Sequence, residues 1–175
     1  KILNDYVYSE NGMKLEEVVI RKAMDLNMTL AVAESCTGGL IGNRITNVSG
    51  SSAVFKGSLV TYSNKSKIDI LNIDKSCIDK NGAVSRNTAK KMAYNVKEKF
   101  SSDIGLSVTG IAGPGGGTEE KPVGLVFIGI CSEAGTRVID RLFKSDRIQN
   151  KEKSSQAALN ELRLELNKYE WKSFS

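Results

Sequence analysis

Four adjacent residues, Glu34, Ser35, Cys36 and Thr37, carry carboxyl, hydroxyl, thiol and hydroxyl groups, and Gly38 and Gly39 follow at once. The stretch before them, Leu30 to Ala33, is apolar or small, the composition of a buried strand end. Leu40 to Val48 has helical spacing. The run therefore reads as strand, tight polar turn, helix. In open α/β sheets, ligands gather just outside the carboxyl ends of strands. The amides of a helix start attract anions and developing oxyanions. Ser35 or Cys36 in such a turn is a candidate nucleophile with backbone donors beside it. The plainer alternative is that Ser35 or Thr37 only caps the helix.

The composition restricts how such a nucleophile can be activated. The chain of 175 residues contains 0 His. That excludes a Ser-His-Asp triad, a Cys-His dyad and every His-ligated metal site. The base must be Lys, a carboxylate, Tyr or water. The 3 cysteines, Cys36, Cys77 and Cys131, are widely spaced and form neither a CxxC metal pattern nor a disulfide framework. No metal or cofactor is expected, and the cysteine usage suits a reducing cytoplasm. No apolar run approaches a membrane span and no signal peptide opens the chain. The net charge of +5 is modest, its basic residues are scattered, and aromatics make up only 6%, unlike the basic stripe of a nucleic-acid binder. Neither nucleic acid nor membrane is expected as a partner.

A second polar strand end follows Gly57 to Tyr62, with Ser63, Asn64, Lys65, Ser66 and Lys67 and then a short helix over Ile68 to Leu71. A third follows Ile104 to Val108 and enters Thr109 to Gly117, five glycines in nine residues. Glycine lets backbone approach a ligand closely. The loop matches neither a Walker A sequence nor GxGxxG. Between these, Ser49 to Ser52 reads as a connector, Asn81-Gly82 as a turn, and Arg86 to Phe100 as a helix with Ser85 as its cap.

The remaining elements frame these loops. Lys1 to Lys14 is polar, with Asn11-Gly12 as a turn, and reads as a linker or the tail of a preceding unit. Leu15 to Asn27 is helical. Val123 to Cys131 and Thr136 to Lys144 read as an antiparallel hairpin, with Ser145-Asp146-Arg147 ending its second strand. Lys151 to Tyr169 is the closing helix. Helices alternating with strands, then one hairpin, predict a three-layer α/β/α domain with a mixed, mostly parallel sheet. If the first three strands are parallel neighbours, the loops around Ser35, Lys67 and Thr109 converge on one edge.

Taken in order, Ala33-Glu34-Ser35-Cys36-Thr37-Gly38-Gly39, Gly50-Ser51-Ser52, Val60-Thr61-Tyr62-Ser63-Asn64, Gly82-Ala83-Val84-Ser85, Thr109 to Pro114 and Lys121-Pro122-Val123-Gly124 resemble the CinA C-terminal domain family. The resemblance covers roughly Leu15 to Tyr169, with residues 15–175 forming the domain. It implies hydrolysis of nicotinamide mononucleotide to nicotinate mononucleotide and ammonia by a Ser/Lys pair. Carried over by position, Ser35 matches the nucleophile and Lys67 the lysine, with Tyr62 and Ser52 as relay or positioning groups. Cys36, Thr37 and Gly38 are the expected oxyanion donors. Thr109, Gly110, Gly113 and Arg147 are expected to bind substrate. Two departures are visible: Lys65 stands where the family has an acidic residue, and Lys151 where it often has arginine. The alternatives are Cys36 as nucleophile, or a non-catalytic nucleotide-binding regulatory module. The resemblance further implies a homodimer and a parent chain with an N-terminal molybdopterin-binding-like domain.

Overall fold

The computed structural model describes residues 7–9 and 12–170; Asn11 of the expected Asn11-Gly12 turn and most of the expected linker lie outside the described residues. Leu15–Asp25 forms α1 and Leu30–Glu34 forms β1. Leu40–Thr46 is α2, and Phe55–Val60 is β2 after a single 3-10 turn at Ser51–Ala53. Asn64–Asp69 and Lys75–Asn81 are α3 and α4. Then come α5 (Arg86–Phe100), β3 (Ile104–Gly110), β4 (Leu125–Ser132), β5 (Gly135–Leu142) and α6 (Arg147–Glu170).

The five strands form one sheet in the order β2-β1-β3-β4-β5. β2 and β3 flank β1 in parallel, β4 runs antiparallel to β3, and β5 antiparallel to β4. Every strand but β4 therefore points the same way, as the alternating helix–strand pattern predicts. Two apolar clusters sandwich the sheet. Leu30 and Val32 join α1, α2 and α6 on one face. Ala31 and Ala33, the alternate residues of β1, join Leu71, Ile73, Ile78 and α5 on the other. β1 is buried on both faces, which is why it reads as a continuous apolar run rather than an alternating one.

Small residues set how closely α5 lies on the sheet. A Cβ on Gly105 would sit 2.2 Å from the Ala93 carbonyl oxygen, and one on Gly129 would sit 2.6 Å from that of Ala89. Ser107 Oγ donates to the same Ala89 carbonyl at 2.7 Å. The helix backbone rests directly on β3 and β4, and no larger side chain fits between them.

Three local expectations need correction. Lys75–Asn81 is helical, where the sequence reading saw only the turn after it. The short helix after β2 begins at Asn64 rather than Ile68, because Ser63 Oγ accepts the Ser66 amide at 3.0 Å and caps it. Ser145-Asp146-Arg147 does not end a strand. Asp146 Oδ1 accepts the Gln149 amide at 2.9 Å and starts α6 at Arg147, four residues earlier than its apolar spacing indicates.

Candidate active site

The parallel order β2-β1-β3 brings the carboxyl ends of three neighbouring strands to one edge. The Ser35 amide donates to the Val108 carbonyl at 2.9 Å and the Thr61 amide to the Glu34 carbonyl at 2.8 Å. The strand ladder thus continues one step past β1, so the Ser35 backbone is held by β3 and the Thr61 backbone by β1. α3 then turns back over that edge and delivers its only buried side chain, Lys67.

Lys67 Nζ lies 2.9 Å from Ser35 Oγ. It also donates to the Thr61 carbonyl at 2.7 Å and reaches the Tyr62 carbonyl at 3.3 Å. The lysine is 1% exposed and the serine 7%. No carboxylate is among these partners. Burial dominates and lowers the Lys67 pKa from 10.5 to about 8, with the Cys36 thiol opposing it weakly. A lysine with that value is partly neutral near neutral pH and can accept a proton from the hydroxyl it touches. A lone lysine after a strand is ordinarily solvated; α3 makes this one an exception.

Lys65, the departure from the family's acidic residue, does not disturb this pair. Its side chain is 84% exposed and pairs with Asp69 one turn along α3. Cys36 is an unsuitable nucleophile. It is buried, and desolvation raises its pKa to about 12, although the Cys36 and Thr37 amides and the Lys67 charge favour the thiolate. A thiol that stays protonated at neutral pH is inert.

The turn after Ser35 is stabilised from within. Gly38 and Gly39 take φ of 63° and 96°, in the left-handed region. The amides of Gly39, Ile41 and Gly42 donate to the Glu34 carboxylate at 3.0, 3.1 and 2.8 Å. This corrects the expectation that the start of α2 is free to receive an anion: the protein's own carboxylate occupies it. The Cys36 and Thr37 amides donate to no backbone carbonyl among the described residues. Gly38 is exposed, but its amide is committed to the Ser35 carbonyl at 3.1 Å.

The other expected site residues divide. The Tyr62 phenol does not touch Lys67; it accepts from Arg147 at 2.9 Å and its ring is largely exposed, so only the Tyr62 carbonyl meets the lysine. Arg147 also donates to the Gly113 carbonyl at 2.6 Å, tying the glycine-rich loop to Tyr62 across the mouth of the site. Thr109 is buried, and its hydroxyl donates to Ala83 at 2.9 Å, holding the turn before α5. Gly110 ends β3, where a Cβ would meet the Leu125 carbonyl oxygen at 2.7 Å.

Ser52 is not brought to this edge. Its 3-10 turn precedes β2, and the Leu30 amide donates to Val54 at 2.8 Å, which places the turn beside the start of β1. A strand rises about 3.3 Å per residue, so β2 separates Ser52 from Lys67 by most of the sheet's depth. The local reading of Ser49 to Ser52 as a connector ahead of a strand agrees with this placement; the role expected for Ser52 came from the resemblance alone.

Two features escaped sequence reasoning. Lys151 Nζ lies 3.7 Å from where a Gly38 Cβ would be, so this cation from the first turns of α6 stands beside the Ser35–Gly38 turn. Thr37 Oγ1 and Thr61 Oγ1 are buried hydroxyls without a hydrogen-bond partner, one on each loop of the Ser35–Lys67 pair.

The family model of the CinA C-terminal domain matches residues 12–166. The chain belongs to the CinA C-terminal domain family. It is 48% identical over 169 residues to a CinA-like protein of Chloroherpeton thalassium, covering 94% of this chain and 40% of that relative. It is 56% identical over 130 residues to a CinA-like protein of Dictyoglomus thermophilum, covering 74% of this chain and 32% of the relative. The chain thus spans well under half the length of these curated relatives. Among solved structures, competence/damage inducible protein CihA from Agrobacterium tumefaciens superposes with TM-score 0.79 at 36% identity, covering 89% of this chain and 97% of that one. The competence damage-inducible protein A of Klebsiella pneumoniae superposes with TM-score 0.84 at 27% identity, covering 87% and 95%. Among the described residues, no helix is long and apolar enough to cross a membrane, and no group of three or more His, Cys, Asp or Glu could hold a metal ion.

Proposed function

We propose that this CinA-family domain is a serine amidohydrolase that converts nicotinamide mononucleotide to nicotinate mononucleotide and ammonia. The observation that carries the reading is the buried contact of 2.9 Å between Lys67 Nζ and Ser35 Oγ, with the lysine pKa lowered to about 8. Neutral Lys67 takes the Ser35 proton as the oxygen attacks the carboxamide carbon. The Cys36 and Thr37 amides receive the negative charge on the carbonyl oxygen; losing one such donor typically costs about 3 kcal/mol of transition-state stabilisation. Lys67 then passes the proton to departing ammonia. Water attacks the resulting ester, giving its proton to Lys67, and the proton returns to Ser35 as the acid leaves.

The substrate's pyridinium charge makes its carboxamide more electrophilic and disfavours a proton on Lys67. Lys151 and Arg147 supply positive charge beside the turn and at the mouth for an anionic phosphate. The share of the relatives' length that the chain spans supports a longer parent with a further domain, and the family resemblance implies that this domain is molybdopterin-binding-like. The departures at Lys65 and Lys151 are the ground for the rival reading, a nucleotide-binding regulatory module. The exposed pairing of Lys65 with Asp69 weakens it.

The test is ammonia release from nicotinamide mononucleotide, with nicotinamide riboside as the control for the phosphate. Turnover should fall by at least about a thousandfold in Ser35→Ala and in Lys67→Ala, by analogy with removal of other nucleophile–base pairs. Calorimetric binding of the mononucleotide without any turnover would instead favour the regulatory module.

A further inference from the structure

Glu34 is 0% exposed, yet none of its hydrogen-bond partners is a lysine or arginine. Its two oxygens accept four hydrogen bonds. Oε2 takes the Gly39 and Ile41 amides at 3.0 and 3.1 Å, and Oε1 takes the Gly42 amide at 2.8 Å and Ser58 Oγ at 3.0 Å. Burying a carboxylate costs several kcal/mol unless hydrogen bonds replace its water. Here the start of α2 and one β2 side chain supply them. The arrangement is too tight to admit a methyl group: a Cβ on Gly42 would lie 2.9 Å from Ser58 Cβ and 3.4 Å from Glu34 Oε1.

The chain between the two ends of this clasp is the Ser35–Gly38 turn. Glu34 closes a loop from the last residue of β1 to the first turn of α2, and Ser58 ties the same carboxylate to the strand that leads to Thr61 and α3. One side chain therefore sets the nucleophile turn relative to the strand that carries its base. It also takes up the α2 amides, which leaves Cys36 and Thr37 as the donors next to Ser35. Lys67 makes its own hydrogen bonds to Ser35, Thr61 and Tyr62 and none to Glu34.

We propose that Glu34 is a positioning residue for the Ser35 nucleophile, acting by reach and hydrogen bonding rather than by its charge on Lys67. The inference rests on the reading of Ser35 as the nucleophile. A glutamine in its place presents an amide NH2 to one of two sets of donors, so at least one clasp contact becomes donor against donor. An aspartate keeps the charge but is one methylene short of α2.

The experiment measures the rate at which a fluorophosphonate labels Ser35, read by mass spectrometry on folded protein. The Ser35 oxygen forms a bond to phosphorus, fluoride leaves, and Lys67 takes the proton, so the rate reports the hydroxyl–amine pair without reference to any amide substrate. Labelling should slow by tenfold or more in both Glu34→Gln and Glu34→Asp, and by a smaller factor in Ser58→Ala, with the pH midpoint of labelling unchanged. A role confined to stability would lower the unfolding midpoint and leave the rate per folded molecule as in the unaltered chain. Wild-type labelling rates in Glu34→Gln overturn the inference, as does a shifted pH midpoint, which would mean that the charge acts on Lys67. If the Glu34 variants do not fold, Ser58→Ala decides, and an unchanged rate there overturns it. An unaltered chain that takes no label at Ser35 overturns the amidase reading itself and this inference with it; equal labelling overturns this inference alone.

Discussion

Lys67 couples activity and stability to pH in a calculable direction. In the proposed mechanism Lys67, protonated below about pH 8, cannot accept the Ser35 proton, so kcat/KM should rise through a limb with its midpoint near 8. The stability effect has the same direction. Between about 8 in the folded chain and 10.5 in the unfolded one, the unfolded state holds a proton that the folded state has released. Stability contributed by this group therefore rises with pH across that window and is level below it. Urea midpoints measured across the window should rise in the unaltered chain relative to Lys67→Met, which lacks the titrating amine. The unpartnered hydroxyl of Thr61 allows a separate test. Its conversion to the isosteric Thr61→Val removes a buried polar group without a partner. Unfolding free energy should hold or rise by about 1 kcal/mol, read from the urea midpoint.

At the scale of elements, the site depends on how closely helices approach the sheet. Gly105→Ala would push a methyl into the Ala93 carbonyl and the Lys97 backbone of α5. Overpacking of this kind typically costs about 1–3 kcal/mol. Because the contact is with backbone, the upper end is expected, measured by thermal or urea unfolding. α5 begins at the turn held by Thr109, so this variant should also loosen Ala83 from its hydrogen bond. α3 matters more for chemistry than its length of 6 residues implies. Capped by Ser63, it orients Lys67 inward while Lys65, on the same helix, faces solvent. Ser63→Ala should cost about 1 kcal/mol of stability and reduce turnover more than an exposed cap elsewhere, because this cap aims the proposed base.

Across the whole molecule, α6 joins the far hairpin to the mouth of the site. Its first turn carries Arg147, which bridges Tyr62 and the Gly113 carbonyl. Farther along, Glu161 and Glu165 are held by Arg137 and Arg141 of β5, with Ser132 and Lys168 also on Glu165. Glu165 keeps a lowered pKa because these donors outweigh its burial. Removing Arg137 leaves both carboxylates with fewer partners in a buried setting. Arg137→Ala should destabilise by about 2 kcal/mol, less than a fully broken buried pair because Arg141, Ser132 and Lys168 remain. Urea unfolding measures it.

Local patterns sufficed for much of this molecule. The polar turn at Glu34–Thr37 stood out because four reactive groups followed an apolar run, and the absence of His narrowed the base to Lys, a carboxylate, Tyr or water, with Lys67 singled out only by the family resemblance. The α/β/α layering followed from alternating periodicities, which reflect burial within single elements. Other assignments depended on groups distant in sequence. Nothing near Lys67 shows that it meets a hydroxyl 32 residues away, since that contact requires β2 and β1 to be parallel neighbours. Ser52 read locally as a connector and entered the expected site only through the family resemblance, and the strand pairing then set it at the opposite end of β2 from Lys67. Glu34 read as one more reactive side chain until α2 and Ser58 enclosed it. Residue chemistry and periodicity are local properties, written in the order of the chain. Which groups meet, which are stripped of water, and which hydrogen bonds replace that water are decided only when the strands pair.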